Sequence, residues 1–500
     1  MTDPTFGAPA PRLQPRRGSH RLRFRRARTL RGALGITLLG AVLPGAGMVW
    51  TGRRAGYLLL VPALGFAVYA AISLTDVGTL VALAVDPARL RTAVVVLAVA
   101  FSVWTFTVIV TYLMARPRRA PVGRMRLGGA VVVLACLVSA LPVVQSMRYA
   151  MTQADLVDTV FTSNVTATAP RNVTEQDPWQ GRDRVNLLIL GGDGGVGRTG
   201  IRTDTVILLS VNTRSGRSVM FSLPRNMMNA QFPPDSPLHE VFPDGFTGAG
   251  DPGSWMLNAV YGQVPVLYPG ILGESDNEGA DALKQAVGGS LGVTVDYYLL
   301  VNLLGFQQIV DAIGGVTVNI NEPAALNGDT DRGIPPTGYL QPGPNQHLDG
   351  FHALWFSRGR WGSDDYERML RQRCMISALI DEADPMTLLR RYQALAEAGK
   401  EIVRTDIPKK LLPAFVELGL RVKGKPVRSI AFVTSDEFFS GDPDYTWVQS
   451  SVRRALQSPP ARAGSVGGSN PTAPATPPTE EVDPGAAVDV GASCAYSPEL

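Results

Sequence analysis

Residues 184–225 read RVNLLILGGDGGVGRTGIRTDTVILLSVNTRSGRSVMFSLPR. Three apolar runs stand in this stretch, 185–190 (VNLLIL), 205–211 (TVILLSV) and 218–223 (SVMFSL), each bounded by Gly, Asn, Asp or Pro. Short β-branched and apolar runs between turn residues read as strands. The loop GGDGGVG at 191–197 contains the letters G-x-G-x-x-G at Gly192, Gly194 and Gly197. A dinucleotide-binding loop opens a helix, whereas a β-branched run follows here, so 191–204 reads as a hairpin loop and 205–211 as a strand returning beside the first.

Charged residues end these strands. Asp193 follows the first, Arg202 and Asp204 precede the second, and Arg225 follows the third. If the strands are sheet neighbours, two carboxylates and two guanidiniums converge at one edge. Two acids suit a hard cation such as magnesium, which takes one or two carboxylates and completes its shell with phosphate oxygens. Solvated loop-end charges are the plain alternative.

Downstream, further strands are expected at 297–301, 316–320 and 428–433, and helices at 279–291, 304–313, 365–383, 386–402 and 409–421. Strands interleaved with helical patterns over 183–456 predict one α/β domain. Within it, 356–373 reads FSRGRWGSDDYERMLRQR. Arg358 and Arg360 share one side if that piece is extended. Arg368, Arg371 and Gln372 share one face of a helix that starts near Asp364. A solvated helix face is the ordinary explanation of such a run; yet lysine is absent from 285–399, leaving fork-shaped donors suited to bidentate phosphate contacts.

Composition sets the context. The chain has 500 residues, 45% of them hydrophobic and only 18% charged, a balance too apolar for an ordinary soluble enzyme. Its mean hydropathy is +0.08. The formal net charge is +4, and only six of the 47 basic residues are lysine. Cys136, Cys374 and Cys494 are too few for a disulfide scaffold or a zinc site, and Cys136 lies in an apolar run.

Residues 1–31 form an Arg-rich tail expected to be disordered and cytoplasmic. Apolar stretches follow at 32–50, 57–74, 92–114 and 127–144, near the ~20 residues that span a bilayer. The 115–126 loop carries five arginines and no acid, which places it in the cytoplasm, and 127–144 then delivers the rest of the chain outside. The basic tail and Arg53–Arg54 both favour the inner side, which four crossings cannot satisfy. A re-entrant segment at 32–50, broken by Pro44-Gly45-Ala46-Gly47, with three true spans resolves the conflict, four helices being the alternative. The membrane region is thus 32–147, with a stalk at 148–182 and a Pro/Gly/Ser-rich tail at 457–500.

The ordered motifs GGD at 191–193, RTDT at 202–205, SLPR at 222–225, DYYLLVNLLGFQQIVDAIGGVTV at 296–318, LDGFHALWFSRGR at 348–360 and DDYERMLRQR at 364–373 resemble the LytR-CpsA-Psr family of membrane-anchored extracytoplasmic proteins. The resemblance implies an α/β sandwich whose central mixed sheet encloses an apolar lipid pocket. It implies a phosphotransferase that attaches a polyprenyl-pyrophosphate-linked cell-wall glycopolymer, arabinogalactan- or teichoic-acid-like, to peptidoglycan and releases polyprenyl phosphate. By motif, Asp193 and Asp204 match the magnesium (or manganese) ligands; Arg202, Arg225, Arg358, Arg360, Arg368, Arg371 and Gln372 match the pyrophosphate-binding residues. Arg225 and Arg360 would be catalytic, and Asp365 would activate the acceptor hydroxyl.

Two positions depart from the family pattern: Asn226 stands where aspartate is usual, and Phe356 where tyrosine is. A polyprenyl-pyrophosphate hydrolase and a non-catalytic lipid-binding regulator of envelope biogenesis are the alternatives. The implied setting is the plasma membrane, multi-pass, with the catalytic domain outside and no nucleic-acid partner. Cys374 and Cys494 would then both lie where disulfides persist, either bonded or as two free thiols.

Overall fold

A computed structural model describes residues 26–73, 83–84, 86–117, 121–160, 166–192, 203–330, 333–382, 403–457 and 485–497. The backbone divides into two units, Met1–Asp76 with Ala93–Arg148 and Val77–Thr92 with Tyr149–Leu500.

In the first unit, α1 (Leu30–Val42) is capped by the Thr29 hydroxyl, which accepts from the Gly32 N–H. It stops at Leu43 because Pro44 disfavours helix in the residue before it and Gly45 turns at φ +93° into α2 (Ala46–Trp50). The break expected at 44–47 is therefore present. Helix α3 covers Tyr57–Ser73. Helices α4 (Pro87–Ala115) and α5 (Val122–Val160) each have residues in both units. Arg54–Ile72, Pro87–Ala115 and Val122–Asp158 are long and apolar enough to cross a membrane, whereas Leu30–Val42 is shorter. At about 1.5 Å per residue, its 13 residues fall short of a ~30 Å hydrocarbon core.

The stalk expected from 148 begins as helix instead, because α5 runs on to Val160. The reason is packing: Ala154 and Val157 are buried, and Val157 joins a cluster with Val185, Tyr297 and Leu411.

The second unit is α/β, built on a seven-stranded mixed sheet whose strands lie in the order Val488–Asp489, Val427–Ala431, Ser218–Leu223, Thr203–Asn212, Arg184–Gly192, Tyr297–Asn302 and Val403–Thr405. Strands β1 (Arg184–Gly192), β2 (Thr203–Asn212) and β3 (Ser218–Leu223) form an antiparallel meander, so the Gly-rich stretch connects two hairpin strands as its sequence suggested. Period-2 alternation gives the sheet two apolar faces. Leu188, Leu190, Leu208, Val219 and Phe221 pack with residues of α7 (Leu257–Leu267), α8 (Glu278–Leu291) and α13 (Tyr445–Gln457). The short α6 (Pro237–Val241) precedes them.

Strand β4 (Tyr297–Asn302) pairs in parallel with β1 and leads directly into α9 (Leu303–Ile313), whose N-cap is Asn302 and whose end is Gly314 at φ +99°. Two small sheets follow: β5 (Val316–Ile320) with β8 (Gly343–Leu348), and β6 (Ala324–Leu326) with β7 (Gly338–Leu340). With α10 (Gly350–Arg358) and α11 (Asp365–Glu382) they enclose Val316, Val318, Phe356 and Met375. Residues 356–358 are thus helical rather than extended, because Asp349 caps α10 by accepting from the His352 N–H.

Strand β9 (Val403–Thr405), α12 (Leu412–Val422) and β10 (Val427–Ala431) complete the layers. Ile207, Met220 and Val427 form the sheet's second apolar face, under Ile376 of α11. The helix expected at 386–402 lies outside the described residues.

The tail differs from its low-complexity expectation. Val488–Asp489 form β11 on the edge of β10, and α14 (Val490–Ser493) follows. Cys374 and Cys494 are disulfide-bonded, and Asn319 Nδ2 donates to the Cys494 carbonyl at 2.9 Å. Val490 is buried among Ile207, Met220 and Val427, so the segment contributes core as well as a crosslink. The bond closes a loop of sequence separation 120. Cys494→Ser should lower stability by about 2–5 kcal/mol, read by thermal unfolding with and without reductant. An unchanged transition would show the segment to be energetically idle.

Candidate functional site

The described strand ends bring four of the anticipated residues together. Asp204 is the second residue of β2, and Arg225 follows β3 in the turn Pro224–Arg225. That turn is held by α7, whose Asn258 N–H donates to the Arg225 carbonyl at 3.0 Å and whose Leu257 N–H donates to the Met227 carbonyl at 2.9 Å. Arg225 Nη1 donates to Asp204 Oδ1 at 2.7 Å, and its Nε lies 3.7 Å from Asp365 Oδ1. From α11, Arg368 Nη2 donates to the Asp365 carboxylate at 3.0 Å and to the Asp204 carbonyl at 3.2 Å.

Burial pushes the Arg368 guanidinium down to about 10; Asp365 and Asp204 oppose this, and the like charges of Arg225 and Arg360 add to it. Arg360 is therefore within electrostatic reach of Arg368. Three guanidiniums against two carboxylates leave excess positive charge in a half-buried place, which favours an oxyanion.

Arg358 and Arg360 stand at the end of α10 and just beyond it. The Arg358 guanidinium lies 4.8 Å from the centre of the Trp355 ring, a cation–π contact. Arg371 and Gln372, expected as phosphate ligands, lie against the backbone at the end of α10. Arg371 Nε donates to the Phe356 carbonyl at 2.8 Å, and its Nη2 donates to the Gly359 carbonyl and to Ser363 Oγ. Gln372 Nε2 donates to the Ser357 carbonyl at 3.3 Å. Both side chains brace the turn that carries Arg358 and Arg360, because the end of α10 leaves carbonyls without intrahelical partners.

Asp365 faces Arg368 and Arg225, which suits it to aiming two guanidiniums. Asp193 and Arg202 lie outside the described residues.

The two departures from the family pattern have local explanations. Asn226 Nδ2 donates to Ser440 Oγ at 3.2 Å and ties the Arg225 turn to another loop. Phe356 is 2% exposed inside an apolar cluster, where a hydroxyl would lack a partner.

A divalent cation was expected at Asp193 and Asp204. Among the described residues no three His, Cys, Asp or Glu side chains group as a metal cage. The donor chemistry still fits magnesium, since Asp204 offers hard oxygen beside a phosphate-compatible cluster and magnesium is commonly held by one or two carboxylates plus phosphates. One residue that pattern reading passed over is Arg373, which stood in the quoted motif beside Gln372 and is buried against the sheet. Its surroundings come from strands remote in sequence, so no spacing signal could single it out.

Comparison with known proteins adds three findings. The sequence model of the LytR_cpsA_psr family matches residues 149–456. A polyisoprenyl-teichoic acid–peptidoglycan teichoic acid transferase TagU from Oceanobacillus iheyensis is 32% identical over 234 residues, 45% of this chain and 60% of the relative. Cell wall biosynthesis protein LcpA from Corynebacterium glutamicum is 29% identical over 221 residues, 41% of this chain and 38% of the relative. The match therefore spans less than two thirds of either relative. Among solved structures, Bacillus subtilis TagV aligns over 55% of this chain and 96% of its own, at 24% identity and a TM-score of 0.39.

Proposed function

The chain belongs to the LytR_cpsA_psr family, and from that premise we propose that it is a phosphotransferase joining a polyprenyl-pyrophosphate-linked cell-wall glycopolymer to peptidoglycan through a phosphodiester. The observation that carries this reading is the Asp204–Arg225–Asp365–Arg368 cluster, with Arg360 in electrostatic range. The curated relatives are transferases of polyisoprenyl-linked teichoic acid to peptidoglycan, or cell wall biosynthesis proteins, by name.

The chemistry follows from charge. In phosphoryl transfer the nonbridging oxygens gather negative charge, so catalysis is mainly positioning and preorganised cations. Arg225, Arg360 and Arg368 supply the cations. Asp204 and Asp365 hold two of them in orientation, and Arg371 with Gln372 holds the backbone from which Arg360 extends. Asp204, with Asp193, would hold magnesium, which would neutralise phosphate charge when bound.

The peptidoglycan hydroxyl attacks the sugar-proximal phosphorus, the bond from that phosphorus to the bridging oxygen breaks, polyprenyl phosphate leaves with that oxygen and its electron pair, and the hydroxyl proton passes to the departing phosphate. The donor's energy lies in its own pyrophosphate, so no nucleotide is needed. Leu304, exposed at the start of α9, offers apolar surface beside β4 for the polyprenyl tail. The three apolar helices anchor the chain, and the catalytic unit lies outside the cytoplasm.

The test is transfer by the full-length protein in detergent from a labelled polyprenyl-pyrophosphate sugar to peptidoglycan oligomers, with magnesium or with EDTA. Attachment with release of polyprenyl phosphate, lost by at least tenfold in EDTA and restored by magnesium, is expected. Release of sugar phosphate to water without attachment would make the protein a hydrolase. Donor binding without turnover would make it a carrier or regulator.

A further inference from the structure

We propose that the layer between α11 and the sheet face beneath it holds a second oxyanion site, built on Arg373, that takes a phosphate group. Arg373 is 8% exposed, more than nine-tenths buried. Its Nη1 donates to Ser429 Oγ of β10 at 2.8 Å, while its Nε is buried with no acceptor among the described residues. Arg368 and Arg371, on the same helix, each have carboxylates close enough to raise their pKa, whereas burial alone acts on Arg373 and pushes it down to about 10. A guanidinium taken out of water without a counter-charge is costly, so a buried one with an idle donor marks a place for an anion.

The facing wall carries serine hydroxyls among the apolar side chains of Met220 and Val427. Ser429 lies opposite Met220 in the β10–β3 register, and Ser218 and Ser222 share the Met220 face two residues to either side. Both of their Oγ atoms are buried and without partners among the described residues. A forked cation with an idle donor beside the Ser429 hydroxyl is a donor set for a tetrahedral oxyanion. The C-terminal segment closes the place: Val488 pairs with Ser429, and Val490 packs on Met220 and Val427. Apolar cover there excludes water and strengthens whatever charge pairing forms. The Cys374–Cys494 bond ties this cover to the residue that follows Arg373.

The phosphate has two possible sources, free inorganic phosphate and the phosphate of a polyprenyl carrier. Only the second rests on the transfer reading above.

The experiment is thermal unfolding of the full-length protein in detergent across a series of inorganic phosphate and, separately, of farnesyl monophosphate, with chloride at matched ionic strength as control. The wild type should gain stability with one or both ligands, saturating where chloride has no effect. Arg373→Met should weaken that response at least tenfold and, in phosphate-free buffer, unfold no earlier than the wild type, because an uncompensated buried charge has gone. Arg373→Lys, which keeps charge and loses the fork, and Ser429→Ala should each weaken the response while folding normally.

A response to inorganic phosphate supports a free-anion site; a response to farnesyl monophosphate alone supports a carrier phosphate. Arg373→Met that keeps the full response, or a wild type that responds to neither ligand, overturns the proposal and leaves Arg373 as a structural tie to Ser429. Transfer activity is measured in parallel. Loss of the transferase reading with a persisting Arg373-dependent phosphate response would leave this site standing.

Discussion

Arg225→Ala should reduce transfer by about 10²–10³-fold, the loss typical of removing one preorganised donor from developing negative charge. Its unfolding temperature should stay within a few degrees of the wild type. The turn survives because its backbone is held by the Asn258 and Leu257 N–H groups rather than by the Arg225 side chain. The site does not survive, because the guanidinium lies between Asp204 and Asp365. Without it, two carboxylates are left with Arg368, and with Arg360 at longer range, at the proposed phosphate site.

Arg225→Lys restores the charge but not the fork that faces both carboxylates, so it should recover less than a tenth of wild-type transfer. Steady-state transfer by purified variants, beside their melting curves, checks both statements. A purified Arg225→Ala protein that retains more than a tenth of wild-type transfer would remove this residue from the chemistry.

Asp406→Ala should destabilise the α/β unit by about 3–5 kcal/mol, the cost typical of breaking one side of a buried ion pair. Lys284 on α8 is fully buried; its Nζ donates to Asp406 Oδ2 at 2.6 Å and to the Asp296 carbonyl at 3.0 Å. Asp406 Oδ1 in turn accepts from the Tyr298 N–H at 2.7 Å, which joins the pair to β4. Truncating Asp406 removes the hydrogen-bonded counter-ion of a buried ammonium and the acceptor of a backbone donor.

Replacing both partners with apolar residues, Lys284→Met with Asp406→Leu, should recover most of the loss, since the pair is dispensable once neither charge is buried alone. Thermal or denaturant unfolding of the single and double variants tests this. A single variant within about 1 kcal/mol of wild type would mean that the ammonium finds another partner. This effect separates from that of Arg225: one variant loses transfer with the fold intact, the other loses both together.

Hydropathy and period made much of the architecture legible. The long apolar runs became α3, α4 and α5, and the Pro44–Gly45 break appeared where those residues disfavour helix. Strands β1 to β5 and β10 carry their own alternating or continuous apolar patterns and were readable one by one. Charged residues at strand ends marked Asp204 and Arg225, because a loop that must carry chemistry interrupts the apolar pattern.

Elements without a strong pattern were not readable. Strand β8 is GPNQHL, polar and half solvated; α7 contains Pro265; and β11 has two residues, whose strand character exists only beside β10. The sequence by itself thus determined which segments enter the membrane-type and sheet-type layers and which residues belong to the site's neighbourhood.

Tertiary structure alone decided the roles inside that neighbourhood. Arg368 and Arg371 occupy neighbouring positions on one helix, yet one meets carboxylates and the other meets carbonyls at the end of α10. Arg373 turns to a third environment on the opposing sheet. Lys284 and Asp406 are 122 residues apart, and Cys374 and Cys494 120. The physical reason is common to all: hydrophobic burial is read by a residue and its near neighbours, whereas a charge, a thiol or a hydrogen-bond donor acquires its role from whichever distant group the folded chain sets against it.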